Sequence, residues 1–137
     1  MSVVIVGRYT GNKKCELVHE PSGSILKTEA PRDNGGEGLS FSPTDLVGAA
    51  LGSCIMTTIA IVAERSGLSV AGMHMRVEKH MGTEPRRIDE LPVIIHLPES
   101  LAAADRQKLE RAGLACPVHK SLHAEVRMPV EFVYDVQ

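Results

Sequence analysis

Tryptophan is absent from this chain, and only two tyrosines and two phenylalanines stand among its 137 residues. With so few aromatic rings there are no platforms on which unpaired bases could stack, which argues against single-stranded nucleic acid as a partner. A basic excess is missing too, since 15 Lys and Arg face 17 Asp and Glu. Duplex nucleic acid needs a clustered positive footprint that this balance does not supply. The first residues, MSVVIVGRYT, lack the basic start and the small-residue cleavage site of a secretory signal. The glycine-rich stretch from Pro31 to Gly38 lacks the lysine and serine of a phosphate-binding loop, which argues against a nucleotide site there. Three cysteines, an odd number, do not make a secreted disulfide framework. The expectation is a cytoplasmic protein in which a cysteine pair serves catalysis or metal binding.

What remains to build a core is Leu, Ile, Val, Ala and Met, enough for one domain over residues 1–137. Val3 to Val6, Cys15 to His19 and Ser24 to Thr28 read as an antiparallel meander with turns at Gly11-Asn12 and Pro21-Ser22-Gly23. The three glycines at 35, 36 and 38 call for close backbone approach or mobility. Ser42 as cap and Pro43 as first residue then open a long helix, which runs to Arg65 and stops at Gly67. Its 18 uncharged residues, Leu46 to Ala63, reach the lower limit for a membrane span. Gly48, Gly52, Ser53, Thr57 and Thr58 inside the run, with Asp45, Glu64 and Arg65 closing it, favour instead the centre of a large core or an interwoven oligomer. No membrane partner is expected. Gly48 and Gly52 share a face and let a second helix approach closely, which points to a homodimer. Further on, Leu68 to Lys79 and Ile88 to Leu97 read as strands joined by a hairpin-like Gly82 to Arg87. Glu99 to Ala112 reads as an amphipathic helix ending at Gly113, Cys116 to Leu122 as a short helix, and Val126 to Val136 as a closing strand.

The thiols carry the chemistry. Cys54 shares a helical face with Val47, Ala50, Leu51, Thr58 and Ile61, so by residue type it reads first as a small core residue. A thiol near its ordinary pKa of about 8.5 is about 3% ionised at pH 7, and roughly 90% at a pKa of about 6. That thirtyfold gain corresponds to roughly 2 kcal/mol, so an active Cys54 needs one cation brought from another segment. Cys116 stands at the entry to a short helix, with Pro117 next and His119 and Lys120 close by, which is an electropositive setting for a redox thiol. A metal reading competes, because Cys116, His119 and His123 form a C-x2-H-x3-H string, but a closed zinc site wants a fourth ligand. Cys15, between Lys14 and Glu16 in a strand, reads as packing or plain exposure.

FSPTDLVGAALGSC around Cys54, followed some sixty residues later by LACPVHKSL around Cys116, resembles the OsmC/Ohr superfamily of osmotically induced and organic hydroperoxide resistance proteins. The resemblance covers nearly the whole chain. PSGSILKTEAPRDNGGEG leading into FSPTDL, and the CPVHKSL form, are similar to the less characterised OsmC-like branch. It implies an α+β fold, an interwoven homodimer with curved antiparallel sheets around long central helices. It also implies a thiol peroxidase acting on organic hydroperoxides or hydrogen peroxide, with no metal, flavin or nucleotide cofactor. Cys54 matches the peroxidatic cysteine, Cys116 the resolving cysteine that forms a disulfide with it, and a small dithiol, lipoyl-bearing in some relatives, is the implied reductant. The peroxidases carry a glutamate ten positions before the peroxidatic cysteine, and here that position is Thr44. Asp45 beside it is the candidate electrostatic partner. The turn that carries their activating arginine reads Thr10-Gly11-Asn12-Lys13-Lys14. The alternative implied by these departures is a dimer of the same fold that binds a small hydrophobic or thiol-reactive ligand in its interfacial cleft.

Overall fold

The computed structural model describes residues 1–137. The chain forms two compact units, Met1–Leu46 and Val47–Gln137.

In the first unit β1 (Ile5–Gly11), β2 (Lys14–His19) and β3 (Ser24–Glu29) form an antiparallel sheet in that order. Asn12 and Lys13, at φ 54° and 61°, make the left-handed two-residue turn that suits the twist of a hairpin. The first strand begins later than Val3 and continues through Tyr9, because its register against β2 runs from Ile5 opposite His19 to Gly11 opposite Lys14. The glycine-rich loop is held by its backbone. Gly36 N–H donates to the Pro31 carbonyl at 2.8 Å, and a Cβ at Gly36 would lie 1.6 Å from the Ala30 carbonyl oxygen. Close approach, one of the two readings of those glycines, is what position 36 requires.

The long helix α1 (Pro43–Arg65) begins with a reciprocal cap. Asp45 N–H donates to Ser42 Oγ at 3.1 Å, and Ser42 N–H donates to Asp45 Oδ2 at 2.9 Å. This is a capping box with aspartate in the place of glutamate. The helix ends as its sequence indicates, with Gly67 at φ 68°. Leu68 N–H donates to the Ala63 carbonyl and Gly67 N–H to that of Glu64, the paired bonds of a Schellman motif.

The second unit continues with β4 (His74–Val77), a small hairpin of β5 (His80–Gly82) and β6 (Arg87–Glu90), then β7 (Val93–Pro98), α2 (Ala103–Leu114), α3 (Pro117–Ser121) and β8 (Val130–Val136). β7 is central in a sheet of order β4-β7-β8, antiparallel to β4 but parallel to β8. The parallel pairing departs from an all-antiparallel expectation, and the α2–α3 crossover between the two strands is what permits it. Val93, Ile95 and Leu97 of β7 are buried with Leu51, Ile55 and Ile59 of α1 and Leu109 of α2.

Three other expectations are corrected here. The strand read over Leu68 to Lys79 shrinks to β4, since Gly72 at φ 85° leaves the extended region just before it. The strand read over Ile88 to Leu97 is cut at Pro92, which has no N–H for a ladder. The Gly48–Gly52 face does not await a second helix. A Cβ at Gly52 would meet Met75 Cε at 2.7 Å, and one at Gly48 would meet Leu91 Cδ2 at 3.5 Å, so the chain's own sheet and Leu91 fill that face.

Candidate functional site

Cys54 lies midway along α1, half-buried between the buried residues Leu51 and Ile55 and the exposed Ser53 and Thr57. Cys116 has no exposed surface. It caps α3, in extended conformation, and its sulfur accepts the His119 backbone N–H at 3.3 Å, with Pro117 at the first helical position. Neither thiol is in a disulfide, and the two side chains lie close enough to interact despite their separation in sequence.

Gly113 is what allows this meeting, and the sequence reading missed it by treating the residue as a helix terminator. It lies inside α2, and a Cβ there would stand 3.1 Å from Ile55 Cγ2 and 3.1 Å from Ile59 Cδ1. The end of α2 is therefore seated directly on α1, one residue from Cys54. Cys116 N–H then donates to the Gly113 carbonyl at 3.3 Å, which fixes the start of the Cys116 segment. A glycine three residues before a candidate redox cysteine was the signal available.

The electrostatics of Cys116 differ from the electropositive setting expected. Burial pushes its thiol above the ordinary range, and the backbone N–H groups of His119 and Val118 offset this only in part, while the Cys54 thiol pushes it up further. The Lys120 side chain is exposed, and His119 acts through its backbone, not its imidazole. Desolvation wins over a helix of one turn. The site thus pairs one half-exposed thiol with one buried, protonated thiol.

Asp45 sits in the first turn of α1, nine residues before Cys54, with Oδ2 engaged by the Ser42 N–H. Ser42 Oγ also lies 3.2 Å from Thr44 Oγ1. Cys15 is half-buried in β2 opposite Tyr9 and Thr28. It lines a cavity of about 460 Å³ in the first unit together with Thr10, Lys14, Glu29 and Ser40. His123 is exposed, its Nδ1 accepting the Glu125 N–H at 3.1 Å. No three His, Cys, Asp or Glu side chains come together as a metal site, so the Cys116, His119 and His123 string does not assemble as one.

The OsmC-like protein family profile matches residues 35–131, a span that includes both cysteines. The chain belongs to the OsmC-like family. Among solved structures, a candidate osmotic stress induced and detoxification response protein from Psychrobacter arcticus 273-4 is 32% identical. The match covers 96% of this chain and 95% of that one, with a TM-score of 0.88. An organic hydroperoxide resistance protein, OsmC, from Legionella pneumophila is 22% identical over 97% of each chain, with a TM-score of 0.71. The organic hydroperoxide resistance protein OhrB of Bacillus subtilis is 15% identical, covering 96% of this chain and 98% of that one, with a TM-score of 0.68. The last two share the OsmC-like fold. Nothing among curated proteins matches the sequence.

Proposed function

We propose that this OsmC-like protein is a cysteine-based thiol peroxidase that reduces organic hydroperoxides or hydrogen peroxide. The observation that carries the reading is the juxtaposition of Cys54 and Cys116, one half-exposed and one fully buried. The half-exposed thiol is the one a peroxide can reach. The Cys54 thiolate attacks the distal peroxide oxygen, an S–O bond forms as the O–O bond breaks, and the leaving alkoxide takes a proton to become an alcohol. Cys116 then attacks the sulfenic sulfur, an S–S bond forms, and its proton leaves with the hydroxyl as water. A small dithiol, of lipoyl type in this reading, reduces the disulfide by exchange and is itself oxidised to a disulfide. A buried, protonated Cys116 suits a resolver, because it does not compete for peroxide.

The protein works as a homodimer in a reducing cytoplasm in this reading. Support for the dimer comes from apolar side chains left exposed in each unit. Ile5, Tyr9 and Ile25 are 60–66% exposed, and Ile61 on α1 is 45% exposed. Only 33% of the most apolar window of α1, a helix long and apolar enough to cross a membrane, is buried.

The decisive assay measures dithiol consumption on addition of cumene hydroperoxide or hydrogen peroxide. Wild type is expected to turn over and Cys54→Ser to be inactive, whereas a serine variant as fast as wild type ends the reading. A second reading, a ligand-binding dimer without peroxidase activity, is favoured by Thr44 at the family's glutamate position and by the engagement of Asp45 in the helix cap. Retention of a lipid-like ligand in native mass spectrometry, with no peroxide turnover, is its signature.

A further inference from the structure

One face of the C-terminal sheet carries a feature unconnected with the thiols. His74 on β4 and His96 on β7 stand directly opposite one another across the antiparallel ladder. Their imidazole rings stack with centroids 4.5 Å apart and planes within 6° of parallel. Each ring has one nitrogen already committed. Nδ1 of His74 lies 2.9 Å from the Gly72 carbonyl oxygen. Nδ1 of His96 lies 2.9 and 3.0 Å from the two carboxylate oxygens of Asp135 on β8.

A carbonyl and an ionised carboxylate can only accept, so Nδ1 carries the proton in both rings. In the neutral imidazoles the lone pair is then on Nε2. Direction follows from topology. β4 runs against β7 while β8 runs with it, and Val133 is the partner of His96. Gly72, two residues before His74, and Asp135, two residues after Val133, therefore lie toward the same end of the sheet. Both Nδ1 atoms turn toward that end, which leaves both Nε2 lone pairs turned toward the other.

We propose that His74 and His96 together bind one divalent transition-metal ion, Cu²⁺, Ni²⁺ or Zn²⁺, through their Nε2 atoms, with water completing the coordination. Neutral imidazole suits these ions. Histidine ligands characteristically donate their second N–H to a carboxylate or a backbone carbonyl, and Asp135 and Gly72 stand in those two places. Two nitrogens at about 2.1 Å from a tetrahedral ion lie roughly 3.4 Å apart with their in-plane lone pairs converging, so the rings must leave parallel stacking and tilt toward one another on binding. His74 is exposed and free to tilt. Arg76, the next residue along β4 on the same face, is ion-paired with Glu78 at 3.8 Å, which offsets its repulsion of a cation. With two protein ligands the site is open and exchangeable, unlike a closed structural zinc.

The test is a ZnCl₂ titration of the reduced, ¹⁵N-labelled full-length protein, followed by long-range ¹H–¹⁵N correlation of the imidazole nitrogens. The Nε2 signals of His74 and His96 are expected to shift together and saturate together. Asp135→Asn, which keeps both ligands, is expected to weaken binding by about tenfold or more. His74→Ala is expected to abolish the saturable response of His96 at the same concentrations, with an otherwise unchanged amide spectrum. Independent responses of the two rings, or an Asp135→Asn variant that binds as tightly as its parent, would overturn the proposal.

Discussion

Two glycines that look alike in sequence are expected to respond to alanine with opposite signs. At Gly48 the new Cβ meets Leu91 Cδ2 at 3.5 Å and Val77 Cγ2 at 3.8 Å, which is ordinary van der Waals contact. Alanine there gains about 1 kcal/mol of helix propensity and clashes with nothing, so the protein is expected to be stabilised by about 1 kcal/mol. At Gly113 the new Cβ meets three carbons of Ile55 and Ile59 at 3.1 to 3.2 Å. Both isoleucines are fully buried and β-branched, so neither yields easily. Overpacking costs about 1–3 kcal/mol, and the propensity gain recovers at most about 1, which from the middle of that range leaves a net loss of about 1 kcal/mol. Urea unfolding followed by circular dichroism at 222 nm, at equal chain concentration and under reducing conditions, measures both. The predicted gap between the variants is about 2 kcal/mol. Equal signs for the two substitutions, or a neutral Gly113→Ala, refute the claim that α2 is seated on α1 through that glycine. A further readout is chemical: lifting the end of α2 from Ile55 displaces Cys116, so Gly113→Ala should slow Cys54–Cys116 disulfide formation after oxidation, while Gly48→Ala should not.

Ser42→Ala removes one arm of the α1 cap and is expected to cost about 0.5–2 kcal/mol in the same unfolding assay. The pH dependence of stability should carry the mark of Cys116. Its folded pKa is raised, so its contribution is complete below the ordinary thiol range of about 8.5 and is lost as pH climbs toward the folded value. The difference in unfolding free energy between wild type and Cys116→Ala should therefore shrink from pH 8 upward, and a constant difference counts against the burial argument. Tyr134 donates to Glu110 Oε2 at 2.6 Å while Arg106 stacks on its ring at 4.2 Å from the centroid. Tyr134→Phe keeps the stacking and loses the hydrogen bond, for an expected cost of about 0.5–1.5 kcal/mol that thermal melting can read.

The parts of this fold written in local chemistry were legible. Ser42, Pro43 and Gly67 bracket α1 because cap, first-turn and left-handed positions each demand particular residue types. The two hairpin turns of the first sheet are similarly local. What required the folded chain was partner choice. The apolar stripe of Gly48 and Gly52 says only that something packs closely, and β4 and Leu91 supply it. The parallel pairing of β7 with β8 depends on where a crossover returns, which no period in the sequence encodes. At the candidate site both cysteines were legible from their motifs, but the charge balance at Cys116 was not. His119 and Lys120 suggested a field that burial outweighs. Gly113 was misread because a glycine near a helix end has two uses, as terminator and as contact point.

The parallel register of β7 and β8 also governs timing. Residues 99–129, which include α2, α3 and Cys116, form a loop whose two ends are tied only when the last seven-residue strand docks. A chain emerging from the ribosome exposes Cys54 long before that knot can be drawn tight. A chain cut short before Val130 keeps the Gly113 contact with α1 but loses the strand that pairs with β7, so it should hold the Cys116 segment less firmly.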